Sequence, residues 1–228
     1  MKLLAVVVPA KDEAATIGEL LDRVATVRVP GYRLRAFVVD DGSTDETAEI
    51  ARGRGATIVG HPENRGLGAA VRTGLRAAVE ADASLVACLD ADLEYYPEDV
   101  PRLVEPILDG RAGYVLGSRF RGGVRRMRLY RRVGNHVFTA LLVLLTGRPM
   151  TDGQTGMRAF GREAARRAEI VHDYNYAQVL TLDLLCKGFT LEEVPIRYSP
   201  REHGTSFVNW RYPVKVLPAI WRELRGRK

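Results

Sequence analysis

Residues 85–99 read Leu85-Val86-Ala87-Cys88-Leu89-Asp90-Ala91-Asp92-Leu93-Glu94-Tyr95-Tyr96-Pro97-Glu98-Asp99, and this pattern decides the fold. Five mostly apolar residues, 85–89, describe a strand covered on both faces, because a parallel strand between two helix layers has no polar side. The strand stops at three carboxylates, Asp90, Asp92 and Glu94. Pro97 then suits the first turn of a helix, and the acids beside it suit the positive end of the helix dipole. Carboxylates at the C-terminal end of a central strand stand where open α/β sheets bind ligands. In an extended tip alternate residues share a face, so the three acids can converge on one point. Three hard oxygen donors there call for a cation, and Mg²⁺ or Mn²⁺ matches that donor set. The plain alternative is an acidic loop with Asp as a turn former.

The same alternation of apolar strand and polar tip recurs toward the N-terminus. Residues 3–8 form a strand stopped by Pro9, and Lys11-Asp12-Glu13 opens a helix with Ile17, Leu20, Leu21 and Val24 at helical spacing. Residues 34–39 form a second strand ending in Asp40-Asp41-Gly42-Ser43, where Ser43 and Glu46 have the spacing of a capping box. Residues 56–59 are a short third strand. Asn64-Arg65-Gly66-Leu67-Gly68 leads into a long helix reaching about residue 81, and its glycines allow backbone N–H groups to approach a phosphate or simply allow close packing. Beyond the central strand come a helix over 100–108 and a fifth strand over 113–117, ending at Ser118-Arg119. Strands alternating with helices give βαβ units and a mostly parallel sheet covered by helices on both faces. Asp12, Glu13, Asp40, Asp41 and the acids of residues 90–94 then share one rim. Such acids accept from base N–H groups and ribose hydroxyls.

The C-terminal half is less regular. Seven arginines fall within residues 119–132, followed by the apolar helix of residues 137–145, closed by Gly147 and Pro149. That helix is either core or a segment lying in a bilayer interface, core being the commoner case. One or two helices reach Cys186, a strand covers 190–198, a polar loop holds Arg201, and an amphipathic tail starts at Pro213. Arginine forks bind phosphate oxygens at two points, so Arg119 and Arg201 are candidates for an anionic acceptor. The four histidines have no metal-ligand spacing.

The 228 residues suffice for one large α/β domain, and 46% hydrophobic with 27% charged residues is ordinary globular composition. Arg and Lys exceed Asp and Glu by 34 to 28, a net charge of +6 that suits a phosphorylated substrate, an anionic membrane or a nucleic acid. Cys88 and Cys186 read as buried reduced thiols without a disulfide framework or zinc spacing. The N-terminus is too short for a signal peptide, and no apolar run reaches the ~20 residues of a membrane span. The expected location is cytoplasmic, peripheral on the inner face of a membrane.

Six ordered motifs carry a family resemblance: Val7-Val8-Pro9-Ala10-Lys11-Asp12-Glu13, Val39-Asp40-Asp41-Gly42-Ser43, Asn64-Arg65-Gly66-Leu67-Gly68, Asp90-Ala91-Asp92-Leu93 with Pro97-Glu98, Gly117-Ser118-Arg119, and Glu193-Val194-Pro195-Ile196. Together they resemble glycosyltransferase family 2, most nearly the dolichyl- and polyprenyl-phosphate mannose synthases. The resemblance implies a GT-A fold over one domain, residues 1–228, with a nucleotide-sugar half (1–119) and an acceptor and membrane-surface half (120–228). It implies an inverting transfer from a nucleotide-sugar, GDP-mannose in the nearest relatives, to a lipid phosphate. A divalent metal, an anionic membrane surface and a membrane partner subunit are implied, and no nucleic acid. By position, Pro9, Glu13, Asp40, Asp41, Gly66 and Asp90 would hold the donor, and Asp92 with Glu94, where Gln is usual, the metal. Ser118, Arg119, Arg131 and Arg201 would meet the acceptor, and Asp90, Asp92 and Arg119 would carry catalysis. The lysine usual after Gly-x-Ser is Phe207 here. Three alternatives stand beside this. They are a soluble family member with a small phosphorylated or sugar acceptor, a nucleotidyltransferase, and a nucleic-acid binder, the last leaving the acidic rim unexplained.

Overall fold

A strand buried on both faces can only lie at the centre of a sheet, and β1 (Lys2–Ala10) is buried in all but its first residue. Its residues alternate between two cores. Leu4, Val6 and Val8 pack with Ile17, Leu20 and Leu21 of α1 (Ile17–Thr26), and Leu3, Ala5 and Val7 pack with Val71 and Leu75 of α3 (Leu67–Glu80). The computed structural model describes residues 1–124, 127–173 and 176–200. Among these, β1 pairs in parallel with β2 (Tyr32–Asp41) on one side and β4 (Leu85–Cys88) on the other. β3 (Thr57–His61) continues beyond β2, and β6 (Arg158–Gly161), β5 (Tyr114–Ser118) and β7 (Leu191–Pro195) continue beyond β4. The order is β3-β2-β1-β4-β6-β5-β7. Since β2 and β4 leave β1 on opposite sides, the winding reverses there. The crevice beyond the C-terminal ends of β1 and β4 is therefore the place where such sheets bind ligands.

The remaining helices among the described residues are α2 (Thr47–Gly53), α4 (Val100–Leu108), α5 (Leu129–Thr146), α6 (Arg162–Arg167) and α7 (Ala177–Cys186). Pro97 opens a 3-10 turn, Pro97–Asp99, that runs into α4, as the sequence predicts. None of the helices among the described residues is long and apolar enough to cross a membrane. The sheet draws strands from both sides of residue 119.

Four expectations change. β6 is a strand that the sequence does not announce, and it is antiparallel to both β4 and β5. Four residues are too few to show a period, and only its two neighbours make it a strand. The first helix begins at Ile17, not at Lys11, because Asp12 sits at φ 52° with its carboxylate accepting the Thr44 N–H at 2.7 Å. Ser43 does not cap α2, which starts at Thr47; its hydroxyl instead accepts the Asp12 N–H at 3.0 Å, joining the tips of β1 and β2. The apolar helix, part of α5, buries only Phe138, Thr139 and Leu142, so one face joins the core and the rest stays outside it.

Cys88 is buried as expected, but Cys186 is exposed at the end of α7. Burial pushes the Cys88 thiol up to about 12. Since the thiolate is the reactive form, alkylation of the native protein at about pH 8 is expected to label Cys186 alone, with Cys88 labelled only in denaturant. Mass mapping of the labelled peptides checks this.

Candidate active site

A cavity of about 400 Å³ opens at the rim where β1, β2 and β4 end, a size typical of small-molecule sites. Its sheet side is lined by Pro9, Lys11, Glu13, Asp41, Asn64, Gly66, Asp90 and Asp92, and its far side by Tyr130, Arg131 and Phe138 of α5. Of the residues predicted for the donor, Pro9, Glu13, Asp41, Gly66 and Asp90 line this cavity, whereas Asp40 does not. The Asp40 carboxylate accepts the Ser43 N–H at 3.1 Å.

The acidic tip differs from the extended arrangement expected of it. β4 ends at Cys88, and the chain then turns, with Leu93 at φ 60° and the Asp92 carboxylate accepting the Glu94 N–H at 3.1 Å. The alternation of an extended strand is lost in such a turn. Among the described residues no three acidic, histidine or cysteine side chains are grouped closely enough to hold a metal ion. Glu94 is nearly buried and pairs with Arg131 of α5 at 3.3 Å. The three acids Asp90, Asp92 and Glu94 thus all line the cavity but do not form a metal-holding group by themselves among the described residues. The donor set still fits Mg²⁺ or Mn²⁺, because these ions are commonly held by one or two carboxylates together with substrate phosphates. Asp92 and Asp90 both line the cavity.

The two glycines at the start of α3 serve packing. The Gly66 N–H is taken by Asp41 Oδ2 at 2.8 Å and the Gly68 N–H by the Asp173 carbonyl at 2.7 Å. A Cβ on Gly68 would come within 2.2 Å of the His172 carbonyl oxygen. These two N–H groups are engaged within the protein rather than presented to a phosphate.

Arg119, predicted to meet the acceptor, follows β5 and lies in a buried ion pair. Asp152 accepts from its Nε at 2.7 Å, its Nη2 at 2.8 Å and its backbone N–H at 3.0 Å, and Tyr198 stacks 5.5 Å from the guanidinium. Arg119 also lines the cavity. Ser118 does not; it is fully buried and shares a hydrogen bond with Thr151 at 2.6 Å. Arg201 lies outside the described residues, as do Arg125, Arg126, Tyr174, Asn175, the loop expected at 201–206 and the tail helix. The described chain nonetheless runs to the acidic turn, where the Ser199 N–H donates to the Glu94 carbonyl at 3.0 Å. Burial and the nearby Glu94 push the Tyr198 phenol up to about 12, so it remains a neutral hydroxyl beside the site.

Three residues that carry the geometry are missed by sequence reasoning. Asp152 sits in a glycine-containing loop without periodicity. The Tyr95 hydroxyl accepts the Gly156 N–H at 2.8 Å, tying the β4 tip to the loop before β6. Arg158 is wholly buried and donates to the carbonyls of Gly153, Thr155 and Ala177 at 2.8–3.1 Å and to the Tyr114 hydroxyl. Only the position of Lys11 on the predicted rim hinted at its place in the cavity.

Residues 5–168 match the sequence profile described as Glycosyl transferase family 2. The chain belongs to that family. It is 34% identical over 202 residues to a dolichyl-phosphate hexose transferase of Haloferax volcanii, covering 89% of this chain and 85% of the relative. It is 29% identical over 184 residues to a UDP-N-acetylglucosamine–dolichyl-phosphate N-acetylglucosaminyltransferase of Methanococcus voltae, covering 72% of each. It spans about half (52%) of the hexosyltransferase Agl6 of Haloferax volcanii, at 29% identity. Among solved structures, glucosyl-3-phosphoglycerate synthase of Mycobacterium tuberculosis superposes with a TM-score of 0.77 at 23% identity, over 97% of this chain and 80% of that one. That likeness shows the shared GT-A fold. This family 2 chain is a glycosyltransferase with the expected α/β architecture, its mostly parallel sheet made mixed by β6.

Removing Asp152 would leave Arg119 a buried charge without its partner. Asp152→Ala is expected to destabilise the protein by about 3–5 kcal/mol, read as a lower denaturant midpoint, with Asp152→Asn retaining part of the loss.

Proposed function

We propose that this glycosyltransferase moves a hexose from a nucleoside-diphosphate sugar to a polyprenyl-type lipid phosphate at a membrane surface, with inversion at the anomeric carbon. The observation that carries this reading is one cavity with an acidic sheet rim on one side and the arginine-bearing α5 on the other. Pro9, Glu13 and Asp90 would face the donor, and Asp92 would hold a Mg²⁺ or Mn²⁺ ion that supplies positive charge there. The archaeal relatives named for dolichyl phosphate support the acceptor class. UDP, named for one of them and for structures of the mycobacterial synthase that also hold Mn²⁺, stands beside GDP as the candidate nucleotide.

The reaction asks for positioning and charge more than for proton transfer. A phosphate monoester oxygen is already anionic at neutral pH, so it attacks the anomeric carbon without a general base, which fits a cavity with no histidine among its described lining residues. As the new C–O bond forms, the bond to the nucleoside diphosphate breaks and that group leaves with the electron pair. A bound divalent ion supplies charge for the departing diphosphate. Arg119, fixed by Asp152, and Arg131 hold the attacking phosphate in line, and Lys11 adds positive charge beside the donor. Arg201, outside the described residues, is the candidate to join them, since it follows Ser199, whose N–H meets the Glu94 carbonyl.

The lipid surface is supported by α5. Leu129, Tyr130, Val133, Val137 and Leu144 are all more than half exposed, and at 100° per residue they fall within roughly a 100° arc of the helix. Exposed Arg128 at the start of α5, Arg132 within it and Arg148 just past its end flank them. An apolar stripe rimmed with arginine fits an anionic headgroup layer. The same helix lines the cavity, so an acceptor whose tail stays in the bilayer reaches the site directly.

The deciding experiment supplies UDP-N-acetylglucosamine, UDP-glucose or GDP-mannose with Mn²⁺ and dolichyl phosphate, and follows sugar into the organic phase. Transfer only to soluble phosphorylated acceptors would replace the lipid reading. Asp92→Ala is expected to lose about 3 kcal/mol of transition-state stabilisation, roughly a hundredfold in rate, and to lose the Mn²⁺ dependence of nucleotide binding. In flotation with anionic vesicles, Leu144→Glu is expected to reduce the bound fraction severalfold while leaving thermal unfolding unchanged.

A further inference from the structure

Asp41 and His61 end neighbouring strands, and the parallel register of β2 and β3 sets them side by side. Their side chains are almost wholly buried, with His61 Nδ1 2.7 Å from Asp41 Oδ1. The same carboxylate accepts the Arg65 N–H on Oδ1 at 2.9 Å and the Gly66 N–H on Oδ2 at 2.8 Å. His61 Nε2 lies 2.9 Å from Thr73 Oγ1 on α3. A Cβ on Gly42, the residue after Asp41, would come within 2.6 Å of the Glu63 carbonyl carbon, so the loop of residues 62–66 is pressed against the β2 tip. Asp41, Asn64 and Gly66 line the cavity beside Pro9, Lys11 and Glu13.

We infer that His61 is a positioning residue of the donor site: it orients the Asp41 carboxylate, which sets the backbone of residues 65 and 66 at the cavity edge. A carboxylate offers about four acceptor sites, and three hydrogen bonds inside the protein engage both oxygens of Asp41. Its work is thus to hold the loop that faces the nucleotide. An imidazole held at both nitrogens fixes the carboxylate's rotation more firmly than two backbone donors alone, and charge-assisted bonds of this kind are the stronger ones. The tie joins β2, β3, the loop and the first turns of α3, and no part of it reaches α5 or the acceptor side. This inference rests on the cavity being the nucleotide site.

The test measures binding of UDP and GDP with Mn²⁺ by calorimetry, together with amide exchange at residues 65 and 66. His61→Leu is expected to weaken the nucleotide about tenfold and to speed exchange at both amides by at least that factor, with the KM for the lipid phosphate unchanged. His61→Asn places its amide N–H where Nδ1–H stands and is expected to stay within about threefold of the unmodified protein. Equal losses in both variants, or wild-type binding and exchange in the leucine variant, would overturn the inference while leaving the donor site in place. Failure of the unmodified protein to bind either nucleotide would remove both readings together. Should the leucine variant not fold, Thr73→Val carries the test: it is expected to weaken nucleotide binding about threefold, and unchanged binding refutes the relay.

Discussion

The structure depends on one constraint: β1 and β4 lie side by side with apolar layers on both faces, so neither strand can carry a charge along its length. Every ionised group these segments bear is forced to the ends, where the backbone leaves the sheet. The reversal of winding at β1 opens a crevice at that same end. Concentration of carboxylates at one rim is thus a consequence of burial, and the cavity follows from topology. Neither needs the other as a cause, yet both arrive at the same spot.

Polar groups that enter the interior are held by many partners. Arg158 is wholly buried, and among the described residues it is matched by carbonyls and hydroxyls of Gly153, Thr155, Ala177, Thr181 and Tyr114. Through those bonds it fixes the loop before β6 against the first turn of α7. Asp152, in the same loop, grips Arg119. A guanidinium is well suited to this role, because its donors are fixed in a plane and its charge is not given up on burial. These arginines shape the back of the cavity and limit how far its walls can relax.

The rim and α5 meet through Glu94 and Arg131, and the strand β7 returns its following residues to the same turn through Ser199 and the Tyr95–Tyr198 pairing. A carboxylate of the acidic turn therefore touches a cation of α5. This joins the two charged walls of the cavity in one connected network, where opposite charges lower the cost of burying each other.

Strong periodicity made β1, β2, β4, α1, α3 and α4 legible, together with the acidic rim, because long-range burial imposes apolar patterns that local sequence records. Asp90, Asp92, Glu13 and Arg119 could be placed at one site for the same reason: each directly follows or caps a strand that had to be buried. What stayed illegible has a different origin. β6 is a strand only because β4 and β5 flank it, and the turn that breaks the extended alternation of Asp90, Asp92 and Glu94 depends on backbone angles that no residue type dictates. Ser43 had the chemistry of a helix cap, but the Asp12 amide beside it in space was the better partner. Asp41 and His61 are twenty residues apart with no motif between them. Sequence by itself determined that β1 and β4 are buried and that acids follow their ends, since burial excludes charge from those strands. Tertiary structure alone decided which of those acids face the cavity and which hold its walls, since that depends on neighbours brought together only by folding.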